Sequence, residues 1–343
     1  ETYNGTLGIF MERRLFVSLI PAAVAFGQQA QNPVDIKVGV NEVIVPVTVT
    51  DDKGRFVGDL DEQDFIVYDE NKQQKITYFS RERNQPIVVG FLVDQSNTNR
   101  LQWKKFQEAL EELVYTLLPG EEKYAGYLIG YSTDAELLAN TTTDSEKILE
   151  KVRKMKPGGG AALYDAVYIS CTNRTLVKGE PVEPRRIIVI VGDGHDNASK
   201  KTLDEVLELA QRNLVTIYGV ATTAFGFGAE GEKNLVRMAE ETGGRVEYPL
   251  EGVYKDVSGY LSKPQDAGNF ALTVGSGAYA SAIAQGLFNA VANVAGEITP
   301  QYILRYSPDS TDAGKLFRNI RVEVPRFPYV KIRARKGYYP HTI

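Results

Sequence analysis

Oxygen-bearing side chains follow a continuous apolar stretch of this chain. Residues 88–93 are apolar or glycine, and Asp94, Ser96 and Thr98 come directly after them. A continuous apolar run is typical of a strand buried on both faces, at the centre of a parallel sheet. The carboxyl end of such a strand is where open α/β sheets bind ligands. A carboxylate and two hydroxyls at alternating positions favour a hard divalent cation, and a simple helix cap is the alternative interpretation.

A second apolar run leads to another carboxylate. Residues 187–191 predict a buried strand, and Asp193 follows it after one glycine. Between the two strands, the glycines at 158–160 predict a flexible loop that opens a helix. Because the carboxyl ends of parallel strands meet at one edge of a sheet, Asp94 and Asp193 are expected to converge there. Two converging anions repel each other, which favours a cation or a compensating Lys or Arg at this edge.

This arrangement resembles the von Willebrand factor type A (VWA) domain and its metal-ion-dependent adhesion site. That site takes Asp-x-Ser-x-Ser after the first strand, a Thr from a mid-domain loop and an Asp after the fourth strand. The resemblance assigns Asp94, Ser96 and Thr98 to the first motif and Asp193 to the last. Ala161 occupies the position of the missing Thr ligand. The cofactor implied is Mg²⁺, or alternatively Mn²⁺ or Ca²⁺, and a carboxylate of a protein partner would complete its shell.

Alternating strands and helices must position these residues. Apolar periodicity predicts six strands, at 88–93, 124–131, 135–140, 187–191, 215–221 and 245–248. The predicted helices between and after them lie at 101–118, 144–155, 163–177, 200–212, 230–242 and 279–298. This order predicts an α/β fold: a Rossmann-like, mostly parallel six-stranded sheet with helices on both faces.

Both flanks of this α/β region have strand character. Residues 34–80 contain short alternating runs separated by turns, and strand-like runs return at 301–306, 317–324 and 329–336. Each flank alone is short for a stable core, so we expect them to pack together as a β-sandwich-like module, with two separate β modules as the alternative. The predicted domains are a leader at 1–27, an N-terminal β module at 28–85, the VWA-like domain at 86–299 and a C-terminal β segment at 300–343.

The flanks also carry motifs of their own. Residues 47–54 read Val-Thr-Val-Thr-Asp-Asp-Lys-Gly, and residues 335–339 read Arg-Lys-Gly-Tyr-Tyr. Together with residues 60–69, 301–308 and 317–320, these motifs resemble a bacterial subgroup called acidobacterial VWA-like, or VWFA-related, proteins. The resemblance extends from about residue 34 to residue 339 and implies a fold more than a function.

The first residues predict export. Met11, Arg13 and Arg14 form a basic segment, an apolar segment follows at 15–26, and small residues precede Gln28. This is the pattern of a signal peptide, and the apolar segment is too short to span a bilayer comfortably. We therefore expect an exported protein, periplasmic or secreted, without a membrane span after cleavage.

Composition and motifs narrow the function. A net charge of −5 without a dense basic stripe disfavours nucleic-acid binding. The single cysteine, Cys171, cannot form an intramolecular disulfide and is expected to be a small buried hydrophobe. A phosphatase with Asp94 as nucleophile would need a second acid where Ser96 stands, and neither a phosphate-loop motif nor a Gly-x-Ser-x-Gly elbow occurs.

These observations predict a non-enzymatic protein-binding or adhesion module. The top of the VWA domain would contact a protein ligand, through a divalent cation at the incomplete site. The alternative is a metal-free structural or assembly protein with a degenerate site. A hydrolase whose catalytic residues the sequence does not reveal is a third interpretation.

Overall fold

A computed structural model describes residues 42–83, 85–97, 103–172, 184–222, 229–249, 277–308 and 317–340. The strands in these ranges are β1 (Val43–Thr50), β2 (Ile66–Asp69), β3 (Lys72–Gln74), β4 (Ile76–Glu82), β5 (Ile87–Asp94), β6 (Tyr124–Tyr131), β7 (Ala135–Thr142), β8 (Arg185–Gly192), β9 (Val215–Ala221), β10 (Val246–Glu247), β11 (Gln301–Tyr306), β12 (Arg318–Glu323), β13 (Lys331–Ala334) and β14 (Gly337–Tyr338). The helices are α1 (Trp103–Leu117), α2 (Ser145–Val152), α3 (Leu163–Thr172), α4 (Leu203–Arg212), α5 (Ala229–Thr242) and α6 (Gly277–Ile298).

The central sheet has six strands in the order β10-β9-β8-β5-β6-β7. All neighbours are parallel except β6 and β7, which are antiparallel. Every residue of β5 is buried, because helices cover both faces of the sheet. Leu110 of α1, Ile148 of α2 and Val291 of α6 belong to the apolar cluster on one face. Val167 and Val206, on α3 and α4, belong to the cluster on the other face. The predicted mostly parallel six-stranded α/β fold is confirmed.

The strand order creates a crevice at one point of the sheet. From β5 the chain continues to β6 and β7 on one side, and then returns to β8 on the other side of β5. In doubly wound sheets, such a reversal between adjacent strands separates the loops that follow them, and ligands bind in the opening. The loops after β5 and β8, which carry the predicted site residues, flank this opening.

Strands from both ends of the chain form a β-sandwich-like module. One sheet has the order β13-β1-β11-β4 and the other β14-β12-β2-β3. Strand β1 pairs antiparallel with β11, and β2 pairs antiparallel with β12. Val45, Val67, Tyr302, Leu304 and Ile320 are among the buried side chains that form the module's core. The two flanks therefore share one core, as the sequence predicts.

Buried ionic contacts join the sandwich to the six-stranded sheet. Glu297, near the end of α6, is fully buried and pairs with Arg333 of β13 at 2.8 Å and with Arg245, which precedes β10, at 3.3 Å. Arg335 donates from Nη1 to the carbonyl oxygen of Gln211 at 3.1 Å. These contacts hold the C-terminal strands against helices of the α/β domain.

The observed elements differ from the predicted ones mainly where a strand consists of polar residues, which give no apolar pattern. The bounds 215–221 and 301–306 are reproduced by β9 and β11. Strand β3 has the sequence Lys-Gln-Gln, so its pairing with β2 leaves no apolar signal. Three predicted parts lie outside the described residues: the start of the N-terminal flank (residues 34–41), the end of the helix at 163–177, and the leader. Among the helices described, none is long and apolar enough to cross a membrane.

Candidate functional site

Asp94 and Ser96 lie where β5 meets the crevice. Their side chains are buried, with relative exposures of 2% for Asp94 and 4% for Ser96. Asp94 Oδ1 accepts a hydrogen bond from the backbone N–H of Ser96 at 2.8 Å. This contact turns the chain sharply after the strand, as short Asp side chains commonly do. Thr98, the third predicted donor of this motif, lies outside the described residues.

Asp193 lies on the other side of the crevice, after β8. It is 8% exposed, and its Oδ1 accepts the backbone N–H of His195 at 2.9 Å. The turn requires Gly194, whose φ is +79°, and a Cβ there would collide with the backbone of Gly231 in α5. Each of the two aspartates therefore fixes its own loop through one oxygen, and the first turn of α5 supports the second loop.

The glycine loop connects with the loop after β5 through the backbone. Gly158 donates to the carbonyl oxygen of Gln95 at 2.6 Å, and Asn97 donates to that of Gly159 at 3.3 Å. Ala161 follows and is 1% exposed. Its N–H donates to Asn197 Oδ1 at 2.8 Å, and its carbonyl oxygen accepts the N–H of Asn197 at 3.0 Å. The structure thus brings the three predicted segments together, with a methyl group at position 161.

Two further aspartates fasten the loop after β8 to α3. Asp196 Oδ2 accepts the N–H of Tyr164 at 2.9 Å and the hydroxyl of Ser199 at 2.6 Å. Asp165, in the first turn of α3, accepts the backbone N–H of Lys201 at 3.0 Å. These carboxylates satisfy backbone donors at a helix start and in a loop, where an acidic side chain is stabilising. They give the edge of the crevice a fixed shape.

Tyr131 is the site residue that sequence reasoning missed. It ends β6, pairs in register with Asp94, and is completely buried. A Cβ on Gly192 would lie 2.5 Å from Tyr131 Oη and 3.2 Å from Asp94 Oδ2, so both oxygens lie around one point. Within the described residues, the Tyr131 hydroxyl has no hydrogen-bond partner. Tyr131 is the last residue of a buried strand, and a polar group at the end of such a strand is also what indicated Asp94.

Electrostatics keep this hydroxyl protonated. Burial, and then the negative charges of Asp94, Asp193 and Asp196, raise the pKa of Tyr131 well above its ordinary value. The phenol is therefore neutral at physiological pH. It can donate its proton to a carboxylate and accept a hydrogen bond from another group.

Thr222 supplies another hydroxyl at this edge. It directly follows β9, is 7% exposed, and its N–H donates to the carbonyl oxygen of Gly192 at 3.2 Å. Its hydroxyl also has no hydrogen-bond partner among the described residues. Thr222 and Asp94 line a narrow cleft beside α1, together with apolar side chains, and the cleft has room for about one water molecule.

The possible metal ligands at this edge are carboxylate and hydroxyl oxygens. In the described ranges, no three Asp, Glu, His or Cys side chains gather into a set that could hold a metal ion. A cation here would need hydroxyl oxygens beside Asp94 and Asp193, and Ser96 and Tyr131 place such oxygens at the same edge. This oxygen-only set fits a hard cation such as Mg²⁺. Burial raises the pKa of the Cys171 thiol to about 12, which disfavours the thiolate form that binds metals.

Comparison with known proteins identifies the family of the central domain. A family model described as the von Willebrand factor type A domain matches residues 89–251. Residues 89–251 form a VWA domain. The match starts within β5 and extends beyond β10, so it includes all six strands and every described residue of the crevice.

A curated relative and several solved structures are similar to part of this chain. An uncharacterised protein of Borreliella burgdorferi (strain B31) is 30% identical over 131 residues, which are 37% of this chain and 36% of that protein. The chain thus matches little more than a third of that relative's length.

Three solved structures illustrate the range of similar chains. The SpRpn10 VWA domain is 16% identical, with 45% of this chain and 82% of that chain covered and a TM-score of 0.35. The vWF domain of the type V pili tip protein Mfa5 from Porphyromonas gingivalis is 19% identical (33% and 39% covered, TM-score 0.29). Manganese-loaded TRAP protein from Plasmodium vivax is 15% identical (48% and 67% covered, TM-score 0.34).

Proposed function

We propose that this protein is an exported, non-enzymatic binding module whose VWA domain contacts a protein ligand through the crevice between β5 and β8. Asp94, Ser96, Thr98 and Asp193 would hold a divalent cation, Mg²⁺ or alternatively Mn²⁺ or Ca²⁺. The cation, when bound, supplies a Lewis-acidic anchor for an acidic side chain of the partner. Export is proposed from the leader pattern, and the acidobacterial subgroup from the flanking motifs.

One observation carries this proposal. Asp94, Ser96 and Asp193 are all at least 90% buried, yet they lie at the point of the sheet where ligands bind in doubly wound folds. Buried carboxylates are costly unless they are paired or coordinate a metal. Two of them on adjacent strands repel each other, and a cation between them would remove that repulsion.

Ala161 supports the second candidate, a metal-free structural or assembly protein. Its methyl group belongs to the apolar cluster beneath α3, and its N–H and carbonyl oxygen are both engaged by Asn197. A position so well packed without an oxygen is consistent with a site that has lost its cation. In that case the crevice loops and the sandwich edges would make the protein contacts.

Titration calorimetry with Mg²⁺ and Mn²⁺ on the full chain separates the two candidates. Binding in the unchanged protein that Asp94→Ala abolishes would support the cation site. Absence of binding in the unchanged protein, with binding created by Ala161→Thr, would support the metal-free alternative.

The partner can be tested on the Mn²⁺-loaded chain by electron paramagnetic resonance. Addition of a short glutamate-containing peptide should change the Mn²⁺ spectrum, because its carboxylate enters the coordination shell. The matching glutamine peptide is the control and should leave the spectrum unchanged. Equal effects of the two peptides would contradict recognition through an acidic side chain.

A further inference from the structure

We propose that Tyr131 completes the cation site of this protein. Its hydroxyl would hold a water molecule in the coordination position for which residue 161, an alanine, has no oxygen. This inference rests on the proposed function and makes Tyr131 a positioning residue, acting on the cation through that water.

The first argument is the state of the Tyr131 hydroxyl. The residue is completely buried, and within the described residues its oxygen has no hydrogen-bond partner. Leaving a buried hydroxyl without a partner is unfavourable, and native proteins rarely keep such a group without a reason. A phenylalanine would fill the same space without this cost. A ligand-held water would give the hydroxyl its partner.

The second argument is where the hydroxyl points. Tyr131 Oη and Asp94 Oδ2 lie 2.5 and 3.2 Å from the point that a Cβ on Gly192 would occupy. The absence of a side chain at Gly192 therefore leaves room for the phenol to reach the carboxylate at the crevice. Burial raises the pKa of this phenol most, and the negative charges of Asp94, Asp193 and Asp196 raise it further.

The third argument is chemical. A neutral phenol can accept a hydrogen bond from a cation-bound water and donate its own proton to a carboxylate. Groups that orient metal ligands in this indirect way commonly change metal affinity 10- to 100-fold when they are removed. Mg²⁺ usually keeps several waters in protein sites, so a water in place of a threonine hydroxyl suits its chemistry.

The chain contains its own control for this proposal. Tyr127 is on the same strand and the same face as Tyr131, four residues further from the crevice, and is 5% exposed. A Cβ on Gly90 would meet the Tyr127 hydroxyl, as a Cβ on Gly192 would meet that of Tyr131 at 2.5 Å. The two tyrosines share a strand and a face, and only Tyr131 lies at the end of the strand, beside Asp94.

The test is Mn²⁺ titration calorimetry on the full chain and its Tyr131→Phe and Tyr127→Phe variants, each checked for folding by circular dichroism. Tyr131→Phe should weaken Mn²⁺ binding about 10-fold, and Tyr127→Phe should leave it unchanged. Ala161→Thr should restore the affinity of Tyr131→Phe, because a threonine hydroxyl replaces the water. In the Ala161→Thr background, Tyr131→Phe should then have no further effect.

Each contrary result has a distinct meaning. If the unchanged chain binds Mn²⁺ and Asp94→Ala does not, an undiminished affinity of Tyr131→Phe overturns this inference while the proposed cation site stands. If Thr222→Val weakens binding and Tyr131→Phe does not, the water-holding role belongs to Thr222 and this inference is wrong. If the unchanged chain binds no Mn²⁺, the proposed cation site and this inference both fail.

Discussion

Two buried clusters in this molecule combine tyrosine hydroxyls with aspartate, and they use them differently. In the sandwich, Asp69 is fully buried, and its Oδ2 accepts hydrogen bonds from the hydroxyls of Tyr306 and Tyr338, each at 3.0 Å. Its Oδ1 accepts from Arg318 Nε at 2.9 Å. At the crevice of the VWA domain, Tyr131 is equally buried beside an aspartate, yet its hydroxyl has no partner among the described residues.

The difference separates a structural network from a binding site. A buried polar group that is fully hydrogen-bonded stabilises one arrangement of the core, and the Asp69 cluster has donors of both kinds, neutral and charged. Buried polar groups that have no hydrogen-bond partner and lie at the ligand-binding edge of a sheet call for a functional explanation. We therefore expect the sandwich cluster to govern stability and the crevice cluster to govern binding.

The largest effect should come from removing the central carboxylate of each cluster. Asp69→Ala leaves two tyrosine hydroxyls without their acceptor and a buried guanidinium without its carboxylate. It should lower the free energy of unfolding by about 3–5 kcal/mol in urea titrations. Asp94→Ala, its counterpart, should cost less than about 1 kcal/mol without cations, since it also relieves repulsion with Asp193. Equal losses would break the distinction between the two clusters.

Cation binding should stabilise the crevice. At a Mn²⁺ concentration 100 times the dissociation constant, linkage predicts a gain of about 2.7 kcal/mol in the free energy of unfolding. Thermal unfolding followed by circular dichroism should show a higher Tm with Mn²⁺. Asp193→Ala should abolish this rise because it removes a ligand, whereas Tyr338→Phe should lower Tm and keep the rise. Persistence of the rise in Asp193→Ala would place the Mn²⁺ elsewhere.

Removing one hydroxyl from each cluster gives a matched pair. Tyr306→Phe deletes a hydrogen bond to the buried carboxylate of Asp69, and such bonds contribute about 1.5–3 kcal/mol. Tyr131→Phe deletes a buried hydroxyl that has no hydrogen-bond partner among the described residues, so without cations the variant should be at least as stable as the unchanged chain. Chemical denaturation of both variants measures the difference. A large loss for Tyr131→Phe would show that its hydroxyl has a structural role.

The smallest expected loss concerns the space beside the Tyr131 hydroxyl. A Cβ on Gly192 would lie 2.5 Å from Tyr131 Oη and 2.8 Å from Asp94 Cβ. Gly192→Ala should therefore displace one of them and cost about 1–3 kcal/mol through overpacking. At Gly158, on the same edge, no atom lies within 4 Å of such a Cβ, so Gly158→Ala is the control. Urea titration should show a clear loss for Gly192→Ala only; equal behaviour would contradict the close approach.

Much of this architecture could be predicted from local sequence signals. The apolar runs within β5 and β8 predicted a sheet covered on both faces, and the carboxylates that follow these runs indicated the crevice. The pairing of β1 with β11 was predicted only from the short length of each flank, because register between distant strands leaves no local pattern.

The crevice was predicted less completely than the fold. Tyr131 was overlooked because tyrosine is common in strands, and only the tertiary structure shows its hydroxyl beside Asp94. The role of Asn197, which binds both backbone groups of Ala161, depends on the contact between two loops 36 positions apart. Such contacts follow from the topology, and the spacing of residue types along the chain does not reveal them.

Anomalous diffraction from crystals of the full chain grown with Mn²⁺ would show directly whether the crevice binds a cation. We expect one strong manganese peak between β5 and β8, bounded by Asp94, Ser96 and Asp193. A water should lie between the ion and the Tyr131 hydroxyl. A well-ordered crevice without a manganese peak at saturating Mn²⁺, or a peak only at another place, would contradict this expectation.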